Sequence, residues 1–223
     1  MNRTRPTRLS LLAALAMALP LATLAEDAPP PCHPAAPAAT AATAAEKAPP
    51  VAEARVEVPD VELVDQDGKT VRLRELLSGD KAIVADFIFT TCTTVCPVLS
   101  GILSRMQDRI GDHLGKDVLL VSISIDPVRD TPAKLKAYAK RWKARPGWVW
   151  LTGPKDVVEK ALKGMGAYTA SFTDHPPMVL VGDARTGAWT RYNGFPDTNL
   201  ILARVDEIGA ARGRKPTTAA NGR

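Results

Sequence analysis

The chain of 223 residues is 45% hydrophobic, 24% charged and only 5% aromatic, a globular balance that argues against a collagen-like or wholly disordered polymer. Its formal charge of +5 sets 29 Lys and Arg against 24 Asp and Glu. Arg3, Arg5 and Arg8 lie in the first 25 residues, which hold no acid, so the rest carries a net charge of only +2. Nucleic acid draws a concentrated basic face, and no such partner is expected here.

Met1 to Arg8 is short and positive, and Leu9 to Ala25 is apolar, interrupted by Pro20. The run ends in Ala22-Thr23-Leu24-Ala25, the small-residue pattern of a signal peptide cleaved after Ala25. The expected location is outside the cytoplasm, in the periplasm, with membrane anchoring if the leader is retained. Residues 26–55 hold 12 Ala and 7 Pro, which cannot bury a core and reads as an extended tether. Residues 56–211 are expected to form one domain, and residues 212–223 a disordered basic tail.

Within the domain, Val56 to Val64 and Thr70 to Leu73 flank Asp67-Gly68 as a hairpin. Ala82 to Phe89 (AIVADFIF) reads as a buried strand. Pro97 opens a helix with Leu99, Ile102, Leu103, Met106 and Ile110 on one face. Val118 to Ile125 is a second buried strand. Asp130 or Thr131 caps the next helix, whose first turn takes Pro132 and whose buried stripe is Leu135, Ala139 and Trp142. Trp148 to Leu151 is a short strand and Lys155 to Lys163 a helix. Met178 to Val181 and Ala188 to Tyr192 form a hairpin, and Asp197 to Ala210 a last helix. This alternation predicts an α/β fold: a mixed central sheet flanked by helices.

Chemistry concentrates at Thr90-Thr91-Cys92-Thr93-Thr94-Val95-Cys96-Pro97, between a buried strand and a helix. Backbone N–H groups and the positive end of the helix dipole favour thiolate there. Side chains spaced i, i+4 on a helix have Cβ atoms about 5–6 Å apart, whereas a disulfide wants about 3.8 Å. The spacing therefore leans towards two thiolates sharing a soft metal ion, with a redox pair left open if the turn is irregular. His175, in Thr173-Asp174-His175-Pro176-Pro177, is the candidate third donor, because neighbouring strands can bring its loop beside the cysteines. His113 lies at a helix end, where an imidazolium suits the dipole. Cys32-His33 in the tether reads as an incidental exposed pair, with a flexible metal ligand or an intermolecular disulfide through Cys32 as the alternatives, and it lacks the Leu-x-x-Cys pattern of lipid attachment. Lys134, Lys136, Lys140, Arg141, Lys143 and Arg145 make one helix basic, as a solvated face or as a surface for an acidic partner. A peroxidase motif of the form Pro-x-x-x-Thr-x-x-Cys is not met, since Phe89 stands at the proline position counted from Cys96 and at the threonine position counted from Cys92.

Taken together, Phe87 to Pro97 (FIFTTCTTVCP), Val121 to Pro132 (VSISIDPVRDTP) and Asp174-His175 resemble the Sco/SenC family of copper-binding proteins over the whole domain. The resemblance implies a thioredoxin-like fold with added β-hairpins, and copper, as Cu(I) and also Cu(II), held by Cys92, Cys96 and His175. It implies a metallochaperone role: delivering copper to, or reducing the thiols of, the binuclear copper centre in subunit II of cytochrome c oxidase or another exported copper protein. Other copper chaperones or thiol reductants would be further partners near the membrane. A thioredoxin-like fold also places a cis-proline loop against the cysteine turn, the place taken here by His175-Pro176-Pro177. Asp126 matches a family aspartate and is read as supporting the site or docking a partner. Two departures stand out: Thr93-Thr94 replaces the commoner Pro-Asp, and Pro176-Pro177 follows the histidine. The competing function is a thiol–disulfide oxidoreductase of exported cysteine pairs, with Cys92 and Cys96 as the redox pair.

Overall fold

Seven consecutive buried residues, Ala82–Ile88, form the spine of an eight-stranded sheet. The structure is a computed structural model and describes residues 50–183 and 185–217. In chain order the elements are β1 (Val51–Ala54), β2 (Glu62–Asp65), β3 (Thr70–Arg72), a one-turn α1 (Leu73–Leu76), β4 (Ala82–Ile88) and α2 (Val95–Ile110). Then come β5 (Val118–Ser124), α3 (Pro132–Arg141), β6 (Trp148–Thr152), α4 (Lys155–Gly164), β7 (Met178–Asp183), β8 (Ala188–Asn193) and α5 (Thr198–Ala210). The sheet order is β1-β8-β7-β4-β5-β6-β2-β3. β4, β5 and β6 are parallel, and every other pairing is antiparallel.

β4 and β5 are buried on both faces, which requires helices on both. Side-chain alternation divides their residues. Val84, Ile88 and Leu120 enter one core with Leu99, Leu103 and Met106 of α2, Leu135 of α3, and Ile201 and Val205 of α5. Ile83, Ala85, Phe87 and Val121 enter the other with Leu73 of α1 and Val158 and Leu162 of α4. The β2–β3 hairpin turns at Gly68, whose φ of +81° suits a residue without a side chain. Thr131, not Asp130, caps α3 by accepting the Lys134 N–H. Among the described residues no helix is long and apolar enough to cross a membrane.

Several expectations are corrected at element ends. Val51–Ala54, read as tether, is an edge strand on β8. The first hairpin strand starts at Glu62 rather than Val56. α2 begins at Val95, so Pro97 sits in its first turn, where the missing N–H has no helical partner to lose. Tyr138 is buried on α3, while Trp142 is half-buried. Residues 212–217, read as disordered, carry contacts: Arg212 pairs with Asp183, and Thr217 donates to Asp206 Oδ1 through its N–H and its hydroxyl. No cis peptide bond occurs among the described residues, so Pro176 and Pro177 are both trans. The leader, Cys32 and His33, and residues 218–223 lie outside the described residues.

Candidate metal centre

After β4 the chain turns through Phe89 to Thr94 before α2 begins. Cys92 therefore precedes the helix, while Cys96 lies in its first turn. Thr94, at the N-cap position with φ −116° and ψ −82°, provides no side-chain cap. The Cys92 sulfur fills that role by accepting the Cys96 backbone N–H at 3.3 Å. This irregular turn lets the Cys96 thiol donate to the Cys92 sulfur.

The two thiols are free and unequal. Burial raises the pKa of Cys92, but the Cys96 thiol, the backbone N–H groups of Cys96 and Thr94 and the Thr94 hydroxyl outweigh it, so the pKa lies below the usual thiol value. Burial drives the Cys96 thiol well above its ordinary value, and its role as donor to Cys92 adds to the rise. Cys92 is the more exposed, 8% against 2%. It is the thiolate-prone partner and Cys96 the proton-holding one.

Two buried carboxyls act at this turn in ways the sequence analysis did not foresee, Asp130 by direct bonds and Asp86 through its charge on Cys96. Asp130 accepts from the Thr90 N–H (3.1 Å), the Thr90 hydroxyl (2.6 Å) and the Ser124 hydroxyl (2.7 Å), tying the cysteine loop to the end of β5. Asp86 is fully buried on the face of β4 that also carries Ile88 and the cysteines. It accepts the Ser122 hydroxyl at 2.5 Å through Oδ1, while Oδ2 has no partner. Burial pushes its pKa up to about 7 against the smaller effect of Ser122. An acid inside an otherwise apolar strand was the available signal.

His175 lies elsewhere. Its ring packs against Phe87 at 5.7 Å between centroids, and Phe87 belongs to the core opposite the cysteines. The imidazole also hydrogen-bonds the Ala167 backbone. Nε2 is buried without a partner, a bare nitrogen of the kind a metal uses. Burial lowers the His175 pKa to about 4 and the Arg191 charge adds to this, against the Ala167 bond. Among the described residues no three His, Cys, Asp or Glu side chains converge as a metal site: the structure joins Cys92 to Cys96 and leaves His175 apart. Asp126 is buried and binds Arg129 at 2.8 Å. His113 pairs with Asp117 at 2.6 Å, and Lys136 of the basic helix pairs with Asp67 at 2.9 Å.

A family model described as SCO1/SenC matches residues 51–205. The chain belongs to the SCO1/SenC family. A SCO1 protein homolog of Bacillus subtilis is 37% identical over 106 residues, covering 46% of this chain and 53% of that protein. The chain spans about half the length of the curated relatives it matches. Arabidopsis thaliana ScoI with copper bound aligns with a TM-score of 0.57 at 27% identity, over 68% of this chain and 98% of that one. BsSco, described with a disulfide switch and as a member of the Sco family of cytochrome c oxidase assembly proteins, aligns with a TM-score of 0.59 at 26% identity, over 70% of this chain and 95% of that one. The fold of this SCO1/SenC chain is thioredoxin-like, with a mixed sheet flanked by helices and the β2–β3 hairpin added at one edge.

Proposed function

We propose that this SCO1/SenC protein binds one copper(I) ion through Cys92, Cys96 and His175 and passes it to an exported copper protein, with subunit II of cytochrome c oxidase as the acceptor the family resemblance implies. The supporting observation is the donor set: two adjacent cysteines, the thiolate-prone Cys92 sulfur accepting the Cys96 N–H, and a neutral imidazole with a bare Nε2. Thiolate and imidazole donors suit copper(I), whereas structural zinc takes four protein ligands. The copper-bound Arabidopsis ScoI lends the reading further support.

His175 must leave Phe87 to join the sulfurs, and the same movement in reverse would free one ligand during transfer. A partner thiol can then replace the imidazole before the chain's own sulfurs let go. Asp126 acts through Arg129 and is not a ligand. The leader places the protein outside the cytoplasm, and the stretch before β1 gives the domain reach. In an anaerobic titration of the reduced protein, wild type should take up one copper(I). Cys92→Ser and Cys96→Ser should lose most of the affinity, and His175→Ala should bind more weakly. A wild type that takes up no copper(I) defeats the reading.

The unequal thiols favour one second reading, a thiol–disulfide oxidoreductase. Cys92 thiolate would attack a partner disulfide, and Cys96 would then displace the partner's second thiol, closing a Cys92–Cys96 disulfide and passing two electrons to the partner. Under this reading His175→Ala keeps full reductase activity.

A further inference from the structure

The turn that carries His175 is fastened through its rings. Ser171, Thr173 and Asp174 bond among themselves, with Ser171 Oγ and Thr173 Oγ1 at 2.7 Å and Thr173 Oγ1 donating to Asp174 at 3.3 Å. The segment Phe172–Asp174 can thus move as a unit. Phe172 lies edge-on to Phe89 of the cysteine loop, with centroids 5.0 Å apart. On the same ring sits the Arg129 guanidinium, 5.0 Å from the centroid. Arg129 is not free to wander: Asp126, only 4% exposed, holds its Nη1 at 2.8 Å, and the Asp126 N–H is itself bonded to Ser124 Oγ at 3.1 Å. A line of contacts therefore runs from the end of β5 through Asp126, Arg129 and Phe172 to Phe89. Beside it lies a cavity of about 320 Å³ with mixed walls, Ile125, Val158 and Leu162 on its apolar side and Arg129, Lys155 and Glu159 on its charged side, space into which a released ring can turn.

We propose that Arg129 and Phe172 are positioning residues that latch the 172–174 turn onto the cysteine loop and so hold His175 against Phe87, and that opening this latch admits the imidazole to the sulfurs. The proposal rests on the copper reading above. Asp126 serves it by fixing Arg129, which gives that carboxylate a task other than ligation. Because the latched form withholds one of three ligands, the apparent affinity for copper is reduced by the fraction of molecules that are open. Weakening the latch must then tighten binding, an effect that simple loss of structure cannot produce.

The test is competition for Cu(I) against a chromophoric bidentate chelator, using the full chain, reduced and anaerobic. Phe172→Ala and Arg129→Gln should each bind copper(I) more tightly, by roughly tenfold, as expected from losing one ring pair or one cation–ring contact. Phe172→Tyr, which keeps the ring, should match wild type. In a His175→Ala background neither substitution should change the affinity. If Phe172→Ala does not fold, Arg129→Gln, at a half-exposed side chain, carries the test alone. Wild-type copper uptake with equal or weaker binding in the latch variants overturns the latch and leaves the copper reading standing. Tightening that persists without His175 also overturns it. No uptake by wild type overturns both.

Discussion

Two buried ionisable side chains pull the stability of this domain in opposite directions as pH changes. His175 is held neutral, its pKa lowered from 6.5 to about 4. Its stabilising contribution is complete above 6.5 and is lost as pH falls towards 4, on the order of 3 kcal/mol in all. Asp86 is held protonated, its pKa raised from 3.8 to about 7. Its contribution is complete below 3.8 and is lost as pH rises through 7, on the order of 4 kcal/mol. The two slopes largely offset each other between pH 4 and 6.5, and single substitutions should uncover them. Urea unfolding at pH 4.5, 6 and 8 should find Asp86→Asn gaining on wild type as pH rises. His175→Gln should close its deficit as pH falls. Displacements that are the same at every pH would show that neither group is coupled to folding.

Among the elements, the junction of β4 with α2 depends on a residue from the other side of the β5 end. Removing the Asp130 carboxylate by Asp130→Ala leaves the Thr90 N–H and the Thr90 and Ser124 hydroxyls without their acceptor. A loss of about 2–4 kcal/mol in denaturant unfolding should follow, together with slower alkylation of Cys92 as the turn loosens; unchanged alkylation would mean that the turn is rigid without Asp130. What the sequence made legible follows the same physics. β4, β5 and the α2 stripe were readable because burial on two faces, or on one helical face, writes long apolar patterns. The Cys92–Cys96 pairing was readable as a motif, but its geometry was not, because the irregular Thr94 backbone is set by a sulfur cap that no propensity describes. β1 escaped because Val-Ala-Glu-Ala on a half-exposed edge is indistinguishable from the Ala- and Pro-rich stretch around it. Asp130 looked like a helix cap because Asp suits that position, and only the fold brings it to Thr90, 40 residues earlier in the chain. His175 was legible as a donor, while the face of the sheet it occupies depended on Phe87, Ala167 and Phe172.

For the molecule as a whole, the boundary of the folded unit lies beyond α5. Arg212 is 4% exposed and pairs with Asp183, itself 7% exposed, at the end of β7. Burial raises the Asp183 pKa, but the Arg212 bond and neighbouring N–H groups hold it below the usual carboxylate value. Ending the chain after Ala211, or making Arg212→Ala, strands that carboxylate and should cost about 3–5 kcal/mol by thermal or chemical unfolding. Equal stability of the shortened chain would return residues 212–217 to the status of a tail.

The strand register fixes one more property. β1 runs with Val51 opposite Tyr192, Asn193 donates to the Pro50 carbonyl, and Gly194 donates to that of Pro177. Met178 and Asn193 pair at the edge where β4 finishes, so the polypeptide enters the domain on the rim that bears the sulfurs.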